Sequence, residues 1–464
     1  MLFNSTEYLC FFVFVCLLYW VISRKPLINQ NILLLAASYV FYSWWDYRFL
    51  GLILISTVSD FIIAKKIYIT KNINIRKFFL VLSLVINIGL LAFFKYYNFF
   101  LDSWVKLLTS IGYQVNSITT LSIILPVGIS FYTFQTLSYT LDVYYKRFKP
   151  TSSFLNFSTF VALFPQLVAG PIERAKNLLP QIEQKRSFSI ENLRQGLTLI
   201  LWGLFKKVVV ADSLAPLVDE VFDNPSSYNG GTLFLGLFYF TFQIYCDFSG
   251  YSDIAIGTAK CFGFKFMSNF NYPYFAKDIS DFWRRWHISL SSWFRDYIFI
   301  PLGGSKVMYW QYTKNILIVF FLSGLWHGPN WTFVFWGLTH SIIYFVMRDI
   351  KIVPSTFKYK SQTTGFFTFM AVMLSWVFFR SPSISFAFDY LYDLIVTFSF
   401  PKYPIKGLFY ICILLFFDYV FKSSSQNILK GMNPFKKKVI VVILVAFVWV
   451  HFSAAPKNFI YFQF

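Results

Sequence analysis

Long apolar runs separated by short basic segments set the pattern of this chain. Leu9 to Ile22 is the first, with Glu7 ahead of it and Arg24-Lys25 behind. A signal peptide places its basic residues ahead of the apolar core. This run therefore reads as a retained first helix with its N-terminus outside. Asn31 to Trp45 and Leu50 to Ala64 predict a second and third span joined by a turn at Asp46-Tyr47-Arg48. Lys65-Lys66 through Arg76-Lys77 reads as a cytoplasmic loop, and Phe78 to Phe94 as the fourth span. Leu121 to Tyr145 is interrupted at Pro126-Val-Gly128, and Phe157 to Ala169 stops at Gly170-Pro171. Leu197 to Val210 contains Lys206-Lys207 and is expected to enter the bilayer only in part. Leu233 to Cys246, Phe366 to Phe379, Leu408 to Phe421 and Val439 to Phe452 are further spans. The pattern predicts an all-α polytopic membrane protein with roughly ten to twelve transmembrane helices plus re-entrant or interfacial pieces. No repeat or linker divides it, so a single transmembrane domain over 1–464 is expected, with a core at 121–464 and peripheral helices at 1–120.

Composition supports that reading. Hydrophobic residues make up 57% of the 464 and charged residues 13%, whereas soluble domains are about one quarter charged. The 41 Lys and Arg against 21 Asp and Glu give a net charge of +20. The cations are dispersed between the apolar runs, which speaks against nucleic acid and for the positive-inside pattern. The five cysteines show no paired spacing and read as small core residues.

The candidate chemistry concentrates between Asp281 and His340, which holds three of the four histidines. The apolar run Ile316 to Leu325 would rise only about 15 Å as a helix, half a bilayer core. Gly328-Pro329-Asn330 should break the helix just after His327 before a second run, Thr332 to Met347. Irregular backbone inside a membrane requires surrounding protein or a water-filled cavity, so His327 is expected on a cavity. There the neutral imidazole is favoured, the form that can take a proton. A buried histidine bonded to a backbone carbonyl is the bland alternative.

Upstream, Trp286, Leu290, Trp293 and Tyr297 recur as one apolar stripe of a predicted amphipathic helix beginning near Asp281. Arg284, Arg285 and Arg295 make it a poor span and suit an interfacial or re-entrant segment. They either snorkel to headgroups or hold an anionic cofactor beside His287, where a planar guanidinium donates bidentately to phosphate. The indoles of Trp326 or Trp331, the backbone at the Gly328-Asn330 break, or His287 could supply donors to a developing oxyanion. Asp253, between an expected Gly-Ser-rich turn and Ile254 to Phe264, is either a site carboxylate or a helix cap. The aromatic tail after Pro456 is an interfacial anchor or a means of delivering the Tyr461 hydroxyl. No metal-ligand spacing, Gly-rich phosphate loop or Gly-x-Ser-x-Gly elbow is present.

Four segments resemble, in order, the membrane-bound O-acyltransferase family: Val168-Ala-Gly-Pro-Ile-Glu-Arg174, Asp247-Phe-Ser-Gly-Tyr-Ser-Asp253, Asp281-Phe-Trp-Arg-Arg-Trp-His287-Ile-Ser-Leu and Trp326-His327-Gly328. Within the family, the match is nearest to bacterial polysaccharide O-acetyltransferases of the alginate and peptidoglycan type. The resemblance implies a funnel-shaped enzyme of the bacterial cytoplasmic membrane with a central pore. It implies acetyl-CoA as cytoplasmic donor, no metal, and an extracytoplasmic SGNH-type acetyltransferase as partner. His327 matches the catalytic histidine, His287 the second essential position, and Tyr461 a C-terminal tyrosine thought in some relatives to accept the acyl group. The alternatives kept open are a transporter or flippase, D-alanyl transfer to teichoic acid, and an inactive scaffold recruiting a periplasmic partner.

Overall fold

The computed structural model describes residues 1–113, 121–168, 170–349, 360–422, 424, 426–453, 457, 459 and 460. Among these residues every regular element is helical. Among the described residues three stretches are long and apolar enough to cross a membrane: Leu27–Ile69, Ile73–Ser110 and Ser361–Arg380. Thr6–Ile22 and Gly407–Phe421 are shorter apolar helices.

The chain forms two compact units. The first comprises Met1, Leu17–Ser187 and Gly328–Asn330; the second comprises Leu2–Cys16, Phe188–His327 and Trp331–Phe464. In the first unit the helices Leu50–Ile69, Ile73–Leu91 and Ile129–Tyr144 pack together. Their packing encloses Asp60, whose carboxylate accepts from Ser83 Oγ at 2.5 Å and Asn87 Nδ2 at 2.9 Å. These neutral donors satisfy the buried carboxylate, as low-dielectric burial requires.

The second unit is built on one 32-residue helix, Gly230–Cys261. It runs straight through the Asp247–Asp253 segment, where the sequence suggests a turn followed by a helix cap at Asp253. Neither the turn nor the cap forms. The reason lies in helix Ile190–Leu204, which packs along it through paired glycines. A Cβ at Gly203 would lie 2.6 Å from Gly250 O, and one at Gly196 would lie 2.6 Å from Gly257 O. Glycines at matched seven-residue spacing thus bring two backbones into contact, as small residues do between membrane helices.

Beyond Leu204 the chain widens into a π turn, Phe205–Ala211, before Asp212–Asp223 resumes as α-helix. Consecutive residues of an α-helix diverge around its axis, yet here Lys206 and Lys207 both reach the long helix. Lys206 Nζ lies 2.6 Å from Asp253, while Lys207 Nζ lies 2.5 Å from Asp247 and 2.8 Å from Asp212. The lysine side chains are 3% and 2% exposed. Phe205 to Val210 is therefore buried, while Leu197 at the other end of the run is 46% exposed; the lysine charges are neutralised inside the protein.

Candidate functional site

The stretch predicted as a ten-residue run is a 19-residue helix, Tyr309–His327. At about 28 Å it nearly matches a bilayer core. Its polar first turns are accommodated because Asn315 Nδ2 donates to Leu302 O at 3.1 Å and Gly304 O at 3.3 Å. The chain breaks after His327, as the Gly-Pro pair requires, and resumes as helix Trp331–Asp349. The two helices approach closely where a Cβ at Gly324 would meet Phe333 O at 2.3 Å and one at Gly337 would meet Phe320 O at 2.2 Å. That contact sets the height of His327. Its ring is 5.0 Å from Trp336, 5.0 Å from Trp326, 5.3 Å from Phe379 and 6.5 Å from His287.

The expected amphipathic helix is instead two short ones, Ile279–Arg285 and Ile288–Phe294, joined by an extended Trp286 and a left-handed His287 at φ 42. Of the apolar stripe, Trp286, Leu290 and Trp293 are buried and Tyr297 is half-buried. The break arises from Asn269, 18 residues upstream. Its backbone carbonyl accepts from Ile288 N–H at 2.8 Å, and its Oδ1 accepts from Ser289 N–H at 3.3 Å and Ser289 Oγ at 2.9 Å. These bonds satisfy the amides that begin a new helix.

Asn269 also orients His287, whose Nδ1 lies 3.1 Å from the same Oδ1. The backbone amide of Ser289 can only donate, so the atom facing it is the carboxamide oxygen. His287 Nδ1 therefore carries the proton, and Nε2 keeps its lone pair. Nε2 is buried and has no hydrogen-bond partner among the described residues. A left-handed residue held by a side-chain bond to a distant loop is the kind of strain that clusters at functional sites.

Both imidazoles line one cavity of about 400 Å³. His287 is 1% exposed and His327 5%, whereas Arg284 and Arg295, on the same cavity, have side chains 66% and 62% exposed. The cavity thus runs from solvent-facing cations to buried rings. Arg348 joins the cations, with Nη1 2.5 Å from Tyr344 Oη. Between them lies an apolar wall of Tyr312, Ile316 and Phe320. Trp283 and Trp286 also line it, each with an indole N–H that is buried and unpartnered among the described residues.

The structure brings His287, His327, Arg284 and Arg295 to one cavity. Arg285 is turned away, bonded to Asp281 at 2.9 Å and Asn271 O at 3.3 Å. Trp326 packs on both histidines, 5.6 Å from His287. Trp331 is 47% exposed at the start of its helix, Asn330 belongs to the first unit, and Asp253 is paired with Lys206. Tyr461 lies outside the described residues. Ahead of it, Ile460 N–H donates to Asp247 Oδ2 at 2.7 Å, and the Phe459 ring lies 5.7 Å from Phe248, which in turn is 4.6 Å from His287. The sequence pattern does not single out Asn269 or Trp283, and it shows Trp286 only as part of the apolar stripe. The tryptophans stand in the same arginine-rich segment as His287, but an indole N–H left without a partner is a property of packing. Among the described residues no cluster of His, Cys, Asp or Glu is arranged to hold a metal ion.

Residues 145–380, which include both histidines, match the family model of MBOAT, the membrane-bound O-acyltransferase family. The chain belongs to the membrane-bound O-acyltransferase family. It is accordingly an acyltransferase and a multi-pass membrane protein. It is 41% identical to the Probable alginate O-acetylase AlgI of Azotobacter vinelandii over 392 residues, 83% of this chain and 76% of that one. It is 39% identical to the protein of the same name in Pseudomonas aeruginosa over 413 residues, 88% of this chain and 77% of that one. It is 36% identical to the Peptidoglycan O-acetyltransferase of Helicobacter pylori over 397 residues, 80% of this chain and 74% of that one. The family resemblance read from the four motifs is thus established.

Proposed function

We propose that this acyltransferase moves an acetyl group from cytoplasmic acetyl-CoA across the bacterial cytoplasmic membrane for O-acetylation of an extracellular or cell-wall polysaccharide. The observation that carries the reading is the pair of buried imidazoles on one cavity whose outer part bears three arginines. The arginines suit the phosphates of a coenzyme A thioester, and the apolar wall suits its thioester arm. In this reading the protein spans the bilayer about ten to twelve times.

Acyl transfer needs a base for the attacking hydroxyl and donors for the tetrahedral oxyanion. His327 takes the hydroxyl proton as its oxygen bonds to the thioester carbonyl carbon, and the proton passes to the leaving thiolate as the carbon–sulfur bond breaks. His287, with its lone pair on Nε2, orients the acceptor hydroxyl or relays its proton. The unpartnered N–H groups of Trp283 and Trp286 are suited to the oxyanion. The acceptor is the Tyr461 hydroxyl or one on an SGNH-type extracytoplasmic partner. The names of the relatives support acetyl transfer to polysaccharide. The Teichoic acid D-alanyltransferase of Streptococcus thermophilus, 30% identical over 54% of this chain, supports the D-alanyl alternative less well.

The test is to incubate the full chain in proteoliposomes with acetyl-labelled acetyl-CoA and to follow coenzyme release and protein-bound label. Release that His327→Ala abolishes supports the reading. Release unchanged in His327→Ala, or no release at all, overturns it. Loss of protein-bound label alone in Tyr461→Phe assigns the tyrosine as carrier.

A further inference from the structure

In the first unit, sharing no residue with the cavity above, a second recess of about 660 Å³ opens where helix Leu50–Ile69 ends, Ile73–Leu91 begins and Ile129–Tyr144 ends. That volume lies within the range of small-molecule sites. Its lining includes Lys71, Arg76, Lys146, Arg147 and Lys149, and among the described residues no aspartate or glutamate. Asp142, on the helix that ends at the recess, is buried and lies 3.9 Å from Arg147. Five cations thus line the recess, which is strongly positive.

Two features indicate a ligand rather than a merely solvated basic end. Arg76 is fixed in place: its Nη2 donates to Tyr144 O, and its guanidinium lies 5.2 Å over the Tyr144 ring. Its Nε–H is nevertheless buried with no hydrogen-bond partner among the described residues. A buried donor is costly to leave unmet, and an oxyanion would meet it with a charge-assisted bond. The second feature is Lys146, which adopts a left-handed backbone at φ 57. Lys146 N–H donates to Val143 O at 3.1 Å and Arg147 N–H to Asp142 O at 2.8 Å. This is a helix-ending turn whose left-handed position normally holds glycine. A lysine kept there at a steric cost supplies a cation to the cavity wall.

The surroundings favour one source of phosphate. Ile69, Ile73 and Phe78, at the ends of the same helices, are 69%, 59% and 62% exposed. They are exposed apolar side chains close in the chain to the residues that line the recess, as lipid acyl chains require. We propose that this recess binds the phosphate headgroup of an anionic phospholipid, with its chains against these helix ends. Basic pockets between membrane helices on the cytoplasmic side recognise such headgroups. A soluble phosphate shares the headgroup chemistry but gains nothing from the apolar side chains.

The test is equilibrium binding to the full chain in uncharged detergent, using dioctanoyl phosphatidylglycerol, dioctanoyl phosphatidylcholine and inorganic pyrophosphate as probes. Phosphatidylglycerol is expected to bind at least 10-fold more tightly than phosphatidylcholine. The variant Lys71→Gln/Lys146→Gly/Lys149→Gln is expected to lose roughly 100-fold, about five-fold for each cation removed. Lys146→Gly alone relieves the left-handed strain, so it is expected to weaken binding while leaving the melting temperature unchanged or higher. That result separates a binding defect from misfolding. Equal binding of the two lipids, tighter binding of pyrophosphate, or full selectivity in the triple variant overturns the proposal.

Discussion

Replacing Asn269 with alanine tests whether the fixed tautomer of His287 serves catalysis. The Asn269 Oδ1 atom accepts from His287 Nδ1, Ser289 N–H and Ser289 Oγ. In the variant the serine hydroxyl can rotate to another acceptor, but the imidazole and backbone N–H groups are left buried and unmet. At about 1–3 kcal/mol for each unmet donor, the fold should lose about 2–6 kcal/mol. The catalytic loss reflects only the imidazole bond, about 1–2 kcal/mol, which corresponds to about 5–30-fold in kcat. The KM for the acyl donor should change less, because Asn269 does not line the cavity. Asn269→Asp keeps an acceptor opposite Nδ1 and should retain more activity than the alanine variant. Acetyl-CoA turnover in proteoliposomes measures both constants, and ¹⁵N-histidine solid-state NMR reads the tautomer directly. A folded Asn269→Ala protein with unchanged kcat, or wild-type protein with the proton on Nε2, refutes the reasoning.

Three further outcomes follow from the geometry. Trp286→Phe removes an indole N–H from the cavity while keeping an aromatic ring, and should lower kcat by about 100-fold if that donor serves the oxyanion; steady-state turnover checks it. Arg284→Ala and Arg295→Ala should each raise the KM for acetyl-CoA by about 10-fold with little change in kcat, more so at low salt, whereas Arg285→Ala should not, since its guanidinium is turned to Asp281 and Asn271. Lys207→Met leaves the buried Asp247 and the half-buried Asp212 without this cation and should cost about 3–5 kcal/mol, partly recovered in Lys207→Met/Asp247→Leu; thermal unfolding in detergent compares them.

The helical class, the family and the break after His327 were legible locally, because a Gly-Pro pair and an apolar run act over a few residues. The true start of the Tyr309–His327 helix was not, since its first turns are polar and are accommodated by carbonyls from Leu302 and Gly304. The interruption at His287 was equally hidden, because the groups that satisfy the new helix belong to Asn269, 18 residues away. The pairing of Lys206-Lys207 with Asp247 and Asp253 was hidden for one shared reason. A hydropathy profile scores each charge as though it faced lipid or water, whereas these charges face one another across two helices. The glycines at 196, 203, 250 and 257 were visible as residues, but only the pairing of the helices shows that they face each other.

Those lysine–carboxylate pairs bear on how the protein is made. Helix Ile190–Leu204 with its π turn emerges from the ribosome before Asp247 and Asp253 have been synthesised. Laid alone into lipid, it would bring the ammonium of Lys206 uncompensated, opposed by about 3 kcal/mol on insertion scales, and Lys207 with Asp212 but without Asp247. The buried charge of Lys206 is thus met only once Gly230–Cys261 has been made, and the order of synthesis becomes part of what the buried charges encode.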